Sequence, residues 1–215
     1  MDNHKASSEY KYNSSQLAHT YDYLTTPLLT ILLPPTKSSD NADRIRILDL
    51  GCGNGSFSNV LSSLGYDVVG VEYSASGIAI AQHQYPDCKF IEASIYDLPY
   101  SQLKPEFDVV ISVEVIEHLF DPKQLIRSAK QCLKPGGTLI LTTPYHGYWK
   151  NLALALSGKM DSHHTVLWDG GHIKFFSVPT LTQLLTTEGC TNIQFHFAGR
   201  FPYLWKSMLC SCQVS

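Results

Sequence analysis

The chain has 215 residues, 44% of them hydrophobic and 16% charged, with a formal net charge of −3; that fits one domain with a full core and gives no global pull towards nucleic acid or anionic membrane. No run of 18 apolar residues occurs, so no membrane-spanning segment is expected. The polar first residues contain no apolar signal region, and the cysteines at Cys52, Cys88, Cys132, Cys190, Cys210 and Cys212 are scattered, which suits reduced core residues of a cytoplasmic protein.

Residues 1–8 are polar and expected to fray. From Glu9 to Leu33, Tyr12, Leu17, Tyr21, Leu24, Leu28, Leu29 and Leu32 recur at helical spacing. Pro27 is expected to break or kink that helix, and Pro34-Pro35 to end it. Residues 1–44 thus read as an N-terminal cap helix and polar linker, ahead of a domain over 45–215. The helix either packs on a sheet edge or covers a ligand with Tyr12 or Tyr21.

Ile45, Ile47, Leu48 and Leu50 form a buried-strand pattern. Gly51-Cys52-Gly53-Asn54-Gly55 follows, then Phe57, Val60, Leu61 and Leu64 at helical spacing, stopped by Gly65. Asp67 to Val71 is a second strand ending at Glu72. Glycines allow a tight turn and close approach of a ligand to the backbone. An acid at the end of the second strand can accept both hydroxyls of a ribose, and a βαβ unit brings the two features to one sheet edge. Ser56 stands where a G-x-G-x-x-G fingerprint needs glycine, and no G-K-[ST] occurs, which excludes a P-loop.

D-L-G-C-G-N-G followed by V-V-G-V-E resembles motif I and the acidic motif II of the class I S-adenosylmethionine-dependent methyltransferases. The resemblance implies S-adenosyl-L-methionine bound by Asp49, Gly51, Cys52, Gly53, Gly55, Glu72 and Tyr73, with Val113 and Tyr21 nearby. Ser74 is a plausible cap for a helix to about Gln84, and Cys88 to Ile91 is a third strand. Glu92 to Pro99 resembles the family's adenine-holding loop, where Ile95 would offer its backbone N–H. Many members carry aspartate at the position of Ser94, whose hydroxyl can still accept a hydrogen bond.

Phe107 to Val113 is an apolar fourth strand running into Glu114-Val115-Ile116-Glu117-His118. Asp121-Pro122 opens a helix. Lys134-Pro135-Gly136-Gly137 closes it, and Thr138 to Thr142 is the fifth strand. Residues 143–176 exceed an ordinary connection and read as a lid and substrate-pocket insertion. It holds an amphipathic piece, Trp149 to Leu156, and then His163, His164 and Trp168. Tyr145, Tyr148, Trp149 and Trp168 suit either an apolar pocket or the lid's own core, and His146 stands at the crevice. Ser177 caps a helix to about Glu188, and Thr191–Ala198 with Tyr203–Cys212 suggest a hairpin. The expected fold is α/β: a Rossmann-like, doubly wound, mostly parallel seven-stranded sheet with an N-terminal helical cap and a lid after the fifth strand.

Glu114, Glu117 and His118 share one face if they form a helical turn. Two carboxylates so close repel unless a cation or a proton lies between them, and carboxylate with imidazole suits Mg²⁺, Mn²⁺, Fe²⁺ or Zn²⁺. E-V-I-E-H resembles both the ubiquinone-biosynthesis O-methyltransferases and the small-RNA terminal ribose 2′-O-methyltransferases. Both resemblances imply a divalent ion on Glu114, Glu117 and His118, with His172 of His172-Ile173-Lys174-Phe175 as a further ligand. A metal-free base, His118, and a merely solvated helix start remain the alternatives. The expected activity is methyl transfer to a hydroxyl of a small, aromatic or catechol-like acceptor. RNA ribose methylation, N-methylation and non-catalytic cofactor binding are the competing readings.

Overall fold

The computed structural model describes residues 10–32, 34, 44–164, 166–168 and 170–214. The expected fraying of residues 1–8, and the Lys37–Asp43 linker, lie outside them. The strands are β1 (Arg46–Leu50), β2 (Asp67–Glu72), β3 (Lys89–Glu92), β4 (Phe107–Val113), β5 (Leu133–Pro144), β6 (Cys190–Ala198) and β7 (Ser207–Val214). They form one seven-stranded sheet in the order β3-β2-β1-β4-β5-β7-β6, parallel through β5. β7 runs antiparallel between β5 and β6, so the two last strands are the expected hairpin.

The apolar runs explain the layers. Side chains alternate across a strand, so Leu48, Leu50 and Val110 feed one core cluster while Ile47, Val109 and Ile111 feed the other. Helix α1 (Tyr21–Ile31) buries Leu24 and Leu28 in the second cluster, beside Phe57 of α2 (Ser56–Ser63). Helix α3 (Ala75–Gln84) starts on its Ser74 cap, whose hydroxyl accepts from Gly77 N at 3.2 Å. Helix α4 (Pro122–Cys132) starts on Asp121 with proline in its first turn. Helices α5 (Tyr148–Leu156) and α6 (Met160–His164) belong to the long connection after β5, and α7 (Val178–Thr187) opens with a Ser177–Thr180 capping box. Among the described residues no helix is long and apolar enough to cross a membrane.

Three expectations shift. The N-terminal helix begins only at Tyr21, and Pro27 lies inside it without ending it; burial of Leu24 and Leu28 on either side offsets the lost hydrogen bond. β5 starts earlier than Thr138: Leu133 already pairs with Phe107, Thr138 pairs with Val109, and Lys134–Gly137 bulge between them. β7 starts later than Tyr203, because Gly199, Arg200 and Tyr203 take left-handed backbone in the connection.

After β3 the chain returns to the other side of β1, so β1 and β4 flank the point where strand order reverses. In such sheets that is where the crevice at the carboxyl edge opens.

Candidate active site at the carboxyl edge of the sheet

The glycine turn is built by steric need. Gly51 has φ +82°, and a Cβ there would lie 2.5 Å from a methyl carbon of Val115. Gly51 N and Cys52 N both donate to Val71 O, at 2.7 and 3.0 Å, which ties the turn to the end of β2. Glu72 is then gripped from both sides. Gly53 N donates to its Oε2 at 3.0 Å, and Ser74 N to its Oε1 at 2.8 Å. Both carboxylate oxygens are fixed in place before any ligand arrives.

Asp49, at the heart of β1, is 1% exposed. Ser58 Oγ donates to its Oδ2 at 2.6 Å, while its Oδ1 is buried and meets no donor among the described residues. Burial, with Glu72 close by, pushes its carboxyl up to about 7, against the lowering effect of the Ser58 bond. Burial likewise raises the Cys52 thiol, so it stands beside the turn as a small inert residue.

The N-terminal stretch lies over this turn. Asn54 Nδ2 donates to Ser14 O and Gln16 O, both at 2.8 Å, and Tyr12 N donates to Ser76 Oγ at 3.0 Å. The Tyr12 ring rests against Gly53 and Gly77, where any Cβ would strike it. Tyr21 stacks on Phe57 with ring centroids 4.6 Å apart. Burial raises its phenol, and the charges of Asp49 and Glu114 add to that.

At the adenine-type loop, Ile95 is buried and its carbonyl accepts from Ser128 Oγ at 2.9 Å. Ser94 accepts from Tyr96 N at 3.2 Å. Tyr73 is exposed after β2, and Val113 is buried at the end of β4. These residues border one edge, on the same side of the sheet as Glu72 and the glycine turn.

The acid stretch does not form the expected helical turn. Glu114 takes φ +55°, a left-handed backbone that costs a non-glycine residue energy. A 3₁₀ turn over Ile116–His118 follows. The kink turns Glu114 aside, so the three residues do not share one face. Thr142 Oγ1 accepts from Glu114 N and donates to Glu114 Oε1, each at 2.9 Å. Burial pushes the Glu114 carboxyl up to about 7, opposed by its bonds to Thr142 and Ser207.

Glu117 and His118 do come together, and the segment after α6 brings His172 to them. Ile173 N and Lys174 N both donate to Glu117 O at 2.9 Å, and His118 Nδ1 faces Gly170 O at 2.9 Å and Gly171 O at 3.2 Å. One potential ligand atom from each of Glu117, His118 and His172 lies within 4.8 Å of the others. The expected four-residue cluster is therefore a trio without Glu114.

Glu117 is fully buried, and neither carboxylate oxygen makes a hydrogen bond of regular geometry among the described residues. Burial drives its carboxyl well up and the neighbouring Glu114 charge adds to that, while its own backbone N–H and the Thr143 hydroxyl pull the other way. His172 Nε2 stands 4.0 Å from Glu117 Oε1. Burial lowers both imidazoles, His172 to about 4, so both are neutral near pH 7. Since Nδ1 of His118 faces carbonyls, it carries the proton and Nε2 keeps the lone pair. The rings of His118 and His172 are 4.9 Å apart, with Trp168 against both.

Next to the trio is a cavity of about 280 Å³, lined among others by Glu114, His146, Lys150, His163, His164, His172, Arg200 and Lys206. His163 and His164 surround His146 with ring centroids at 5.7 and 6.0 Å, apart from the trio. Tyr148 and Trp149 point to solvent, and Tyr145 packs on Phe197 and Trp205; of the four aromatics expected around a pocket, Trp168 alone stands at the trio. The sequence reading passed over Lys150, Arg200 and Lys206. Lys150 had one signal, as the only charged residue of Tyr148–Leu156; the other two come from a hairpin connection with none.

A family model described as "Methyltransferase domain" matches residues 17–195. The ubiquinone biosynthesis O-methyltransferase of Bradyrhizobium sp. (strain ORS 278) is 33% identical over 176 residues, which cover 77% of this chain and 68% of that protein. The protein of the same description from Roseobacter denitrificans is 30% identical over 206 residues, covering 90% and 79% respectively. A crystal structure of a Pyrococcus horikoshii OT3 protein superimposes with a TM-score of 0.64 at 20% identity, covering 91% of this chain and 90% of that one, which speaks for the fold.

Proposed function

We propose that this chain, which belongs to the class I S-adenosylmethionine-dependent methyltransferase family, moves the methyl group to a hydroxyl oxygen of a small aromatic acceptor, aided by a divalent cation on Glu117, His118 and His172. The observation that carries the reading is the Glu117 carboxylate: fully buried, opposed only by the Thr143 hydroxyl and its own backbone N–H, and close to two neutral imidazoles. An isolated buried carboxylate is costly. Either a proton or a cation among these three groups removes that cost, and a carboxylate with two imidazoles suits Mn²⁺, Fe²⁺ or Zn²⁺, with Mg²⁺ favoured by further oxygen ligands. The cation, when bound, supplies the charge that stabilises a deprotonated acceptor oxygen.

The chain's own residues would do the rest. Glu72, held by two backbone amides, would accept the ribose hydroxyls. Asp49 Oδ1, buried without a donor, would face the positively charged end of the methionine moiety, with the glycine turn admitting the ligand to the backbone. Ser94 and Ile95 would border the adenine, with Tyr73, Cys52 and Val113 along the same edge. Tyr12 and Tyr21 would close the N-terminal side. His118, fixed through Nδ1, presents Nε2 as a metal ligand or, in a cation-free site, as the base. The left-handed Glu114 is the joint that lets the 3₁₀ turn aim Glu117 and His118 inward. Alignment of donor and acceptor then supplies much of the rate, because the sulfonium is already a charged leaving group.

The relatives named above are O-methyltransferases by description, which supports oxygen over nitrogen as the acceptor atom. The test is a transfer assay with methyl-labelled S-adenosylmethionine against catechols, simple alcohols and primary amines. Catechols should lead by at least tenfold in kcat/KM; amines outpacing them would reject the oxygen reading.

A further inference from the structure

We propose that the cavity beside the trio is an anion subsite, so that the methyl acceptor carries a carboxylate or phosphate group remote from its methylated hydroxyl. This rests on the O-methyl transfer reading above and narrows the acceptor within it. The cavity receives three cations, Lys150, Arg200 and Lys206, and three further histidines, His146, His163 and His164, against a single carboxylate, Glu114.

Three cations elsewhere are answered by acids. Arg46 meets Asp67 and Glu106, Lys134 meets Asp108, and Arg127 meets Glu188. Among the described residues no ion pair reaches Lys150, Arg200 or Lys206. Lys150 is 5% exposed, and its ammonium has one long bond, 3.4 Å, to Lys206 O. A buried ammonium with no anion in contact is costly. Burial weakens its hold on the proton, lowering it to about 8; the Arg200 charge adds to the effect and the Glu114 charge across the cavity opposes it. The two cations therefore feel each other across the space. Lys206 Nζ rests over the Tyr23 ring, 4.7 Å from its centroid, which steers that ammonium to the cavity wall. Arg200 is held on left-handed backbone, φ 64°. An anion among these groups would answer all three charges at once, with the guanidinium offering a two-pronged grip.

The placement makes the anion part of the acceptor. The cavity lining includes His172, a member of the trio, and no residue of the Gly51–Gly55 turn, nor Glu72 or Ser74. A molecule whose oxygen reaches the trio would extend its other end into the cations, and the volume suits a single substituted ring.

Calorimetric titration of catechol, 3,4-dihydroxybenzoate and 3,4-dihydroxybenzylphosphonate, with S-adenosylhomocysteine present, tests the subsite. At least one charged ligand should bind ten times tighter than catechol, the tighter of the two naming the anion class. Arg200→Gln and Lys150→Met should cut that preference to below threefold. Lys150 is buried and its replacement can unfold the protein; Arg200 is exposed, so its variant decides. Equal affinity for all three ligands, or an undiminished preference in Arg200→Gln, overturns the subsite. Failure of the transfer reading looks different: no catechol would be methylated, while benzoate alone would still bind with the same dependence on Arg200.

Discussion

At the residue scale, the site rests on acids that the fold keeps from water. Asp49 is the clearest, with its carboxyl raised from 3.8 to about 7 by burial. A raised carboxyl means the folded chain holds a proton that the unfolded chain has released. Folding stability from this group is therefore present at low pH and is lost as pH rises from about 4 through 7. The loss is on the order of 4 kcal/mol at about 1.4 kcal/mol per unit. Asp49→Asn keeps an acceptor for Ser58 and cannot ionise. Its Tm relative to the wild type should climb between pH 5 and pH 8, read by thermal denaturation without ligand; a constant difference across that range would contradict the raised carboxyl. Residues such as Asp49 and Glu72 were legible in the sequence because their partners are close in the chain, within one βαβ unit. Lys150, Arg200 and Lys206 were not, because their meeting depends on how a helix after β5 faces a hairpin some fifty residues later. Glu114 stands apart from the trio for a different reason. Spacing assumes a regular helix, and a single left-handed residue breaks that regularity.

At the scale of elements, two connections do the positioning. The glycine turn after β1 touches the acid stretch after β4 through Gly51 and Val115. The segment around His172 is pinned to the 3₁₀ turn by two amides on Glu117 O and by the carbonyls facing His118. Gly51→Ala would meet both a left-handed backbone and a 2.5 Å contact with Val115. It should cost roughly 2 kcal/mol or more, and weaken S-adenosylmethionine binding at least tenfold in calorimetry. Wild-type stability and affinity in this variant would show that the turn does not hold the site. The strands were readable because buried parallel strands are short unbroken apolar runs. The N-terminal stretch read as one long helix because Tyr12 and Leu17 fit the period of α1. Tyr12 packs instead from irregular chain and Leu17 stays exposed; there Tyr10 O accepts from Ser74 Oγ at 2.7 Å and Asn54 binds Ser14 and Gln16. Side chain to backbone bonds of this kind leave no periodic trace.

At the scale of the molecule, one sheet brings two chemistries to one edge. The strand order reverses between β1 and β4, so the turn after β1 and the acids after β4 face each other across the crevice. The fold class and the ligand-bearing half were thus available from strand and helix alternation plus one glycine motif. The proposed acceptor half was not, because it is assembled from the long connection after β5 and from the β6–β7 hairpin, which carry no motif of their own. The central claim is that buried Glu117, with His118 and His172, holds a cation that serves methyl transfer to oxygen. The direct measurement is the turnover of a catechol acceptor by wild type and Glu117→Gln, first in chelator and then with Mn²⁺ or Mg²⁺ restored. The account predicts that chelation lowers wild-type turnover at least a hundredfold, that one of the ions restores it, and that Glu117→Gln stays low under both conditions. Undiminished wild-type turnover in chelator would contradict it.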